Sequence, residues 1–378
     1  MADEFNSFEE PNIVATMKET DKKCPCCGGT MDFDPKTGGL LCPYCDHQEA
    51  IPESTVAPEH NQEIASTSAL EINLEDAEKV ENCDWGIATK TVLCKNCGAE
   101  SVYDVNQISA ECPYCGSNQV MEANDKNTMA PGGVIPFKID QKEAGNRFLA
   151  WIRGKFFAPK AAKQSAKAES FKGIYLPYWT FDAKTHSTYV GEYGKDRTVR
   201  DRDGNTRTVT DWYRTSGEYD EFFDDELVCG STQHDQSLIN GISYYHTADN
   251  VVYRPEYVAG FGAERYSIGV KAAWEKAKAA IQQKIRRNVE SKIMKENFAN
   301  HVRNVSVQSF FGGMTFKYLL LPVWISSFKY NGRVYQFMVN GETGHVAGHA
   351  PVSKIKVFLT ILIIVIIFAF LLYGWGGQ

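Results

Sequence analysis

Eight of the eleven cysteines fall in four CxxC pairs before residue 116. Cys24 and Cys27, fourteen residues, then Cys42 and Cys45 form one set. Cys94 and Cys97, fourteen residues again, then Cys112 and Cys115 form a second, offset by 70 throughout. A CxxC pair is a tight turn that aims two thiolates into one hollow, and two such turns supply the four-sulfur tetrahedron that zinc prefers. Gly28, Gly98 and Gly116 each follow a ligand directly, where positive φ lets backbone amides face the sulfurs. Asp46 takes that place in the remaining turn. Iron in a rubredoxin-like site uses similar knuckles, and Cys26 within KCPCCGG competes with Cys27 as a ligand. The expectation is two structural zinc ions per chain, with every coordination position filled by protein and none left to activate water. Cys83 and Cys229 stand apart from any metal spacing and read as buried apolar residues.

A run from Val357 to Tyr373, VFLTILIIVIIFAFLLY, carries no charge. As a helix it is about 26 Å long, near the ~30 Å hydrocarbon core of a bilayer. Lys354 and Lys356 precede it and Tyr373 and Trp375 follow, a pattern that places the body on the cytoplasmic side. The first twenty residues have acids where a signal peptide needs positive charge. The sequence therefore predicts a single-pass transmembrane helix over 355–375, localisation to the cell membrane and a cytoplasmic body. That compartment is reducing, which favours metal over disulfides for the clustered cysteines.

Charge is divided unevenly along the 378 residues. Residues 1–92 hold 6 basic and 19 acidic side chains, leaving 34 and 28 for the rest, within a net charge of -7. Acidic ribbons disfavour duplex binding, which needs Lys and Arg to neutralise phosphates. The expected fold class is α+β: two small four-cysteine zinc ribbons, a duplicated β-rich domain with long amphipathic helices, and one C-terminal transmembrane helix. The boundaries read as a disordered N-terminus at 1–21, ribbons at 22–48 and 90–120 around an acidic linker at 49–89, and a duplicated domain at 131–353. Within the linker a short helix is expected from Leu74 to Asn82.

In the main domain Asp140, with Glu143 three residues on, forms a capping box. The helix it opens carries Phe148, Trp151, Ile152 and Phe156 at helical spacing until Pro159. KGIYLPYWTF and KYLLLPVWIS share Lys172, Leu176, Pro177 and Trp179 with Lys317, Leu321, Pro322 and Trp324, an internal repeat at an offset of 145. Both prolines are expected at strand starts or edges, because proline donates nothing to a ladder. Asp203-Gly204 and Asn331-Gly332 read as hairpin turns. Between the repeats a long helix puts Val270, Trp274, Ala277, Ile281, Ile285, Val289 and Ile293 on one face. Its basic outer face is a solvated surface or one that meets anionic lipid. No phosphate loop, nucleophile elbow, HExxH or dinucleotide fingerprint occurs. His234, His246, His301, His345 and His349 are scattered, and Asp224, Asp225 and Glu226 form a charged run.

CKNCGAE with ECPYCGS, the IPFKID to FFAPK helix, YLPYWTFDA and LLPVWISSFKYNGRVYQFMVNGETGHVAG, running into the apolar segment, resemble a bacterial family. Its members are tail-anchored membrane proteins with paired transcription-factor-IIB-type zinc ribbons, often labelled as relatives of primosomal protein N′ or superfamily II helicase. The helicase label has no ATPase motif behind it here. The resemblance implies a non-enzymatic adaptor of envelope-stress systems, with phage-shock-protein-A-like or SPFH-domain partners. The alternative is a membrane-tethered nucleic-acid binder.

Overall fold

The computed structural model describes residues 23–52, 68–77, 89–94, 100–104, 120–122, 129–165, 171–200, 205–331 and 333–375. Strands 89–94, 100–104 and 120–122 and the chain beyond 368 are described by their backbone alone. The expected disordered stretch at 1–21 and the Asp203-Gly204 turn lie outside these residues.

Three short strands, β1 (Asp32–Asp34), β2 (Gly39–Leu41) and β3 (Gln48–Glu49), make a small antiparallel sheet at the N-terminus. The acidic stretch after it is not wholly a free linker. Its β4 (Ile72–Asn73) pairs with the large sheet, and Ala69 N donates to Asn250 Oδ1 at 2.8 Å. The helix expected from Leu74 is a 3-10 turn over Leu74–Asp76, capped by Asn73. Then come β5 (Thr89–Cys94), β6 (Glu100–Asp104) and β7 (Val120–Glu122), with β5 antiparallel to both of the others.

The body follows as β8 (Gly133–Val134), α1 (Gln141–Gly154), α2 (Lys160–Ser165), β9 (Lys172–Arg200), β10 (Thr206–Cys229), α3 (Gln236–Ile242), β11 (Val251–Val252) and β12 (Gly262–Ala263). It ends with α4 (Val270–Asn297), β13 (His301–Tyr330), β14 (Arg333–Asn340), β15 (Val346–Gly348) and α5 (Lys354–Trp375). Asp140 Oδ1 accepts from the Glu143 amide at 2.7 Å and so caps α1, while the Glu143 carboxylate, which a full capping box would turn back to the Asp140 amide, accepts from Arg147 Nε at 2.8 Å. Phe148 and Ile152 are buried in the core, whereas Phe156 beyond the helix end is exposed. Asn331 has φ 47, the positive value that a type I′ turn needs, and closes the β13–β14 hairpin.

β9, flanked by β10 and β13, forms the centre of the sheet. From Ile174 to Ala183 every β9 residue is buried, because α1 and α4 cover one face and α3 the other. Beyond Lys184 the three strands continue as an arm. There burial alternates along β9, and Ile281, Ile285, Val289 and Ile293 of α4 cover only one face.

The two Lys-Leu-Pro-Trp segments lie side by side, antiparallel, with Leu176 directly opposite Leu321. A local two-fold axis passes between them. Gly133–Val134 runs parallel to β13 at Leu319–Leu320, and Gly262–Ala263 runs parallel to β9 at Ile174–Tyr175. Trp179 Nε1 donates to Ile268 O at 2.8 Å, just before α4; Trp324 Nε1 donates to Ile139 O at 2.9 Å, just before α1. Each half thus closes over the lead-in segment of the other.

Pro177 and Pro322 sit within the two long strands, not at their starts. Each lies where its outer neighbour ends: the Pro177 carbonyl accepts from Gly230 N, directly after β10, and the Pro322 carbonyl from Gly341 N, directly after β14. The missing N–H therefore faces a place where no strand continues.

The fold class needs correction at the C-terminus. The chain is mostly β-sheet, and among the described residues no helix is long and apolar enough to cross a membrane. The expected transmembrane helix over 355–375 and the single-pass cell-membrane localisation built on it are overturned by this finding. The apolar side chains of α5 from Phe358 to Phe368 are nonetheless exposed.

Candidate metal centre

Cys24, Cys27, Cys42 and Cys45 converge, with one sulfur from each lying within 4.8 Å of all the others. Cys24 Sγ is 3.4 Å from Cys45 Sγ, and Cys27 Sγ is 3.5 Å from Cys42 Sγ. Four sulfurs at ~2.3 Å from one zinc are about 3.8 Å apart, whereas a disulfide holds its sulfurs at about 2.05 Å. With the topological argument for a reducing compartment gone, this geometry is what favours a metal over two disulfides.

Two equivalent knuckles build the site. Gly28 N donates to Cys24 O at 2.8 Å and Cys24 N to Gly29 O at 2.7 Å. In the second, Asp46 N donates to Cys42 O at 3.0 Å and Cys42 N to His47 O at 2.8 Å. Gly28 has φ 74 and Asp46 φ 58, so the aspartate adopts the backbone that glycine adopts in the first turn. Cys26 is exposed, with its sulfur 3.4 Å from His47 Nδ1, and stays out of the cluster. The choice between Cys26 and Cys27 falls to Cys27.

The sulfurs differ as acids. Burial pushes the Cys24 thiol up, but the amides of Cys27 and Cys26 and the thiols of Cys45 and Cys42 outweigh it and bring it to about 6. The His47 amide lowers Cys45, yet its neighbours Cys24 and Cys27 carry it up to about 12. Cys24 is thus the readier thiolate and Cys45 the more reluctant one. A divalent ion at the centre is what stabilises four thiolates together.

The ribbon is docked on the body. Phe33 is buried against Tyr257 and Phe261, at ring-centroid distances of 5.9 and 6.4 Å, and its amide donates to Ala259 O at 3.1 Å. Gly260 has φ 80, and a Cβ there would stand 2.9 Å from the Asp32 side chain, so glycine permits the close approach. Lys36 pairs with Asp140, the α1 cap, at 2.9 Å.

The second set stands differently. Cys94 ends β5, but its side chain, together with Cys97, Cys112 and Cys115, lies outside the described residues, as does Cys83. Cys229 is buried, and burial raises its thiol to about 12. It behaves as the apolar residue its isolation implied.

Two other acidic groups occur where spacing gave little warning. Asp224 and Asp225 meet Asp182 from β9, and Lys317 lies 2.8 Å from Asp225 and 3.4 Å from Glu71. His246, Asp249 and Glu342 lie together, with Lys138 2.6 Å from Asp249 and 3.0 Å from Glu342 and His246 Nδ1 3.1 Å from Glu342. In both an ammonium already supplies the positive charge. Buried Glu264 bonds Ser231 through one oxygen and His234 Nε2 through the other at 3.0 Å. Serine and histidine thus meet the carboxylate from opposite sides. Spacing gave no signal that Asp182, Lys317 and Glu264 would gain these partners, because each lies far along the chain from them. His301 and His349, read as scattered, pair with Asp196 at 3.0 Å and Asp235 at 2.8 Å. His345 Nδ1 lies 3.1 Å from the Thr343 hydroxyl.

No protein-family model matches the chain, and no solved structure matches it. It is similar to a protein of Bacillus subtilis (strain 168) named uncharacterized protein YdjG. The two are 27% identical over 355 residues, which cover 89% of this chain and 91% of the other.

Proposed function

We propose that this protein is a non-enzymatic adaptor whose metal-held ribbons recruit partner proteins. The observation that carries this reading is the closed four-cysteine cluster of the first ribbon, set rigidly on the β body. Four protein sulfurs around one ion leave no position for water or substrate, so such a site organises a surface. Tyr44, between Cys42 and Cys45, is 77% exposed and presents an aromatic side chain beside the knuckle. Exposed aromatics on a stiff scaffold are favoured contact residues at protein interfaces. Zinc is the proposed ion for each ribbon, two per chain, and phage-shock-protein-A-like or SPFH-domain proteins are the partners that the family resemblance puts forward.

Affinity capture with the full chain tests this, run beside Cys24→Ser/Cys42→Ser and Tyr44→Ala variants. A stoichiometric protein partner held by the wild type and lost from both variants supports the adaptor reading. Capture of no such partner by the wild type, or equal capture by all three, sinks it.

The alternative, a nucleic-acid binder, draws on the far end of the arm. Lys195, Arg200 and Arg207 are exposed there beside the stacked rings of Tyr193 and Tyr213, 5.4 Å apart. Basic side chains interleaved with aromatics suit a single strand. A salt-dependent shift of labelled single-stranded DNA, abolished by Arg200→Ala/Arg207→Ala, is its discriminating result.

A further inference from the structure

The arm formed by β9, β10 and β13 is covered by α4 on one side and by no described residue on the other. Val190 stands at the middle of this open face, 57% exposed, opposite Ser216 and Ser306. Toward the body, Lys184, His186, Asp220, Phe222, Phe310 and Gly312 line an open trough of about 630 Å³. Its two phenylalanines, Phe222 and Phe310, are 56% and 66% exposed. Toward the far end half-buried Trp212 lies across Gly194, with the Arg303 guanidinium stacked on its ring at 3.8 Å. Trough and stack lie at matching distances on either side of Val190: His186 is opposite Asp220, and Gly194 is opposite Trp212.

The charges are arranged in the same way. Counting from Val190, Lys184 lies as far toward the body as Asp196 lies toward the tip. On β10, Glu218 and Arg214 flank Ser216 at equal distance. Lys184 and Glu218 form no salt bridge among the described residues, and the nearest acid to Arg214 across the sheet, Glu192, is already bonded to Arg303 at 2.8 Å. A two-fold rotation about an axis through Val190, running across the strands, lays the face on its own copy. Glu218 then meets Arg214, Lys184 approaches Asp196, which His301 and Thr210 already hold, and the Trp212–Arg303 stack faces the trough between Asp220, His186 and Phe310.

We infer that the open face of the arm is a self-association surface, occupied by the same face of a second copy packed antiparallel about Val190. Twelve residue steps by three strands make roughly 570 Å² of plan area per copy. Two copies bury about 1,100 Å², near the low end for a specific contact, so the dimer is concentration-dependent. Burying Trp212, Phe222 and Phe310 supplies the attraction, and the charge pairs fix the antiparallel orientation.

Sedimentation equilibrium of the full chain, in a mild detergent that shields the apolar side chains of α5, tests the inference. The wild type is expected to dimerise reversibly and to weaken at high salt. Arg214→Glu and Glu218→Arg each place two like-charge contacts in the interface and weaken association by at least about tenfold. The double variant restores the pairs with signs exchanged and recovers it, a rescue that misfolding cannot mimic. A wild type that stays monomeric, a dimer indifferent to either single reversal, or a double reversal no better than the singles would each overturn it.

Discussion

The first ribbon shows how single residues decide a candidate metal centre. Cys26 and Cys27 are adjacent and chemically equal, yet only Cys27 sits where the Cys24 knuckle aims its sulfurs. Cys42→Ser is therefore expected to abolish metal binding in this ribbon, whereas Cys26→Ser leaves the metal content of the purified chain unchanged, as plasma emission spectrometry reads directly. Equal losses in both variants would return Cys26 to the ligand set. A second residue-scale effect belongs to Asp182. Burial, opposed by the Asp225 amide and by Lys317 and assisted by the charges of Glu71 and Asp225, raises its carboxyl to about 6. Thr315 also donates to it, at 3.1 Å. Between about pH 4 and 6 the folded chain holds a proton here that the unfolded chain has released, so this group's contribution to stability falls as pH rises through 6. Asp182→Asn is expected to gain stability over wild type across that interval, as urea midpoints at successive pH values would show. Midpoints that track in parallel would contradict the assignment.

At the scale of elements, docking matters more than local propensity. The ribbon strands are two or three residues long and hold their place through Phe33, the cysteine knuckles and the Lys36–Asp140 pair. Phe33→Ala should cost about 3 kcal/mol and speed proteolysis between the ribbon and the body, with metal content retained; cleavage at the wild-type rate would mean that the ribbon is not held by this contact. The long helix α4 was legible from its apolar face, because 3.6-residue spacing is a local property that burial preserves. The strands it covers were only partly legible. β9 alternates beyond Lys184, where one face is open, but from Ile174 to Ala183 both faces are buried and the period-2 signal vanishes. The 68–77 segment read as linker because its polar residues serve the body: Glu71 reaches Lys317, and Asn73 caps its own turn.

Over the whole molecule the two halves interlock. If the local two-fold is as close as the paired tryptophans indicate, Trp179→Phe and Trp324→Phe should lower stability by similar amounts, about 1–3 kcal/mol each, since each strands one buried carbonyl before a helix. Denaturant melts differing by more than twofold in effect would show that the halves are energetically unlike. What the sequence determined by itself was local: ligand spacing, the α1 cap, the α4 face, the Asn331-Gly332 turn and the repeated Lys-Leu-Pro-Trp strings. These depend on residues a few positions apart, whose geometry the backbone transmits directly. Only the tertiary structure decided that Leu176 faces Leu321, that Pro177 and Pro322 lie at strand ends of their neighbours, and that Asp182, Lys317 and Glu264 acquire partners. Such contacts join residues far apart in the chain, and their energies come from burial and pairing that no local window contains. The apolar C-terminal run marks the same boundary from the other side. Its composition was plain in the sequence, while a span across a bilayer needs a helix both long and apolar enough, and none of the described residues form one.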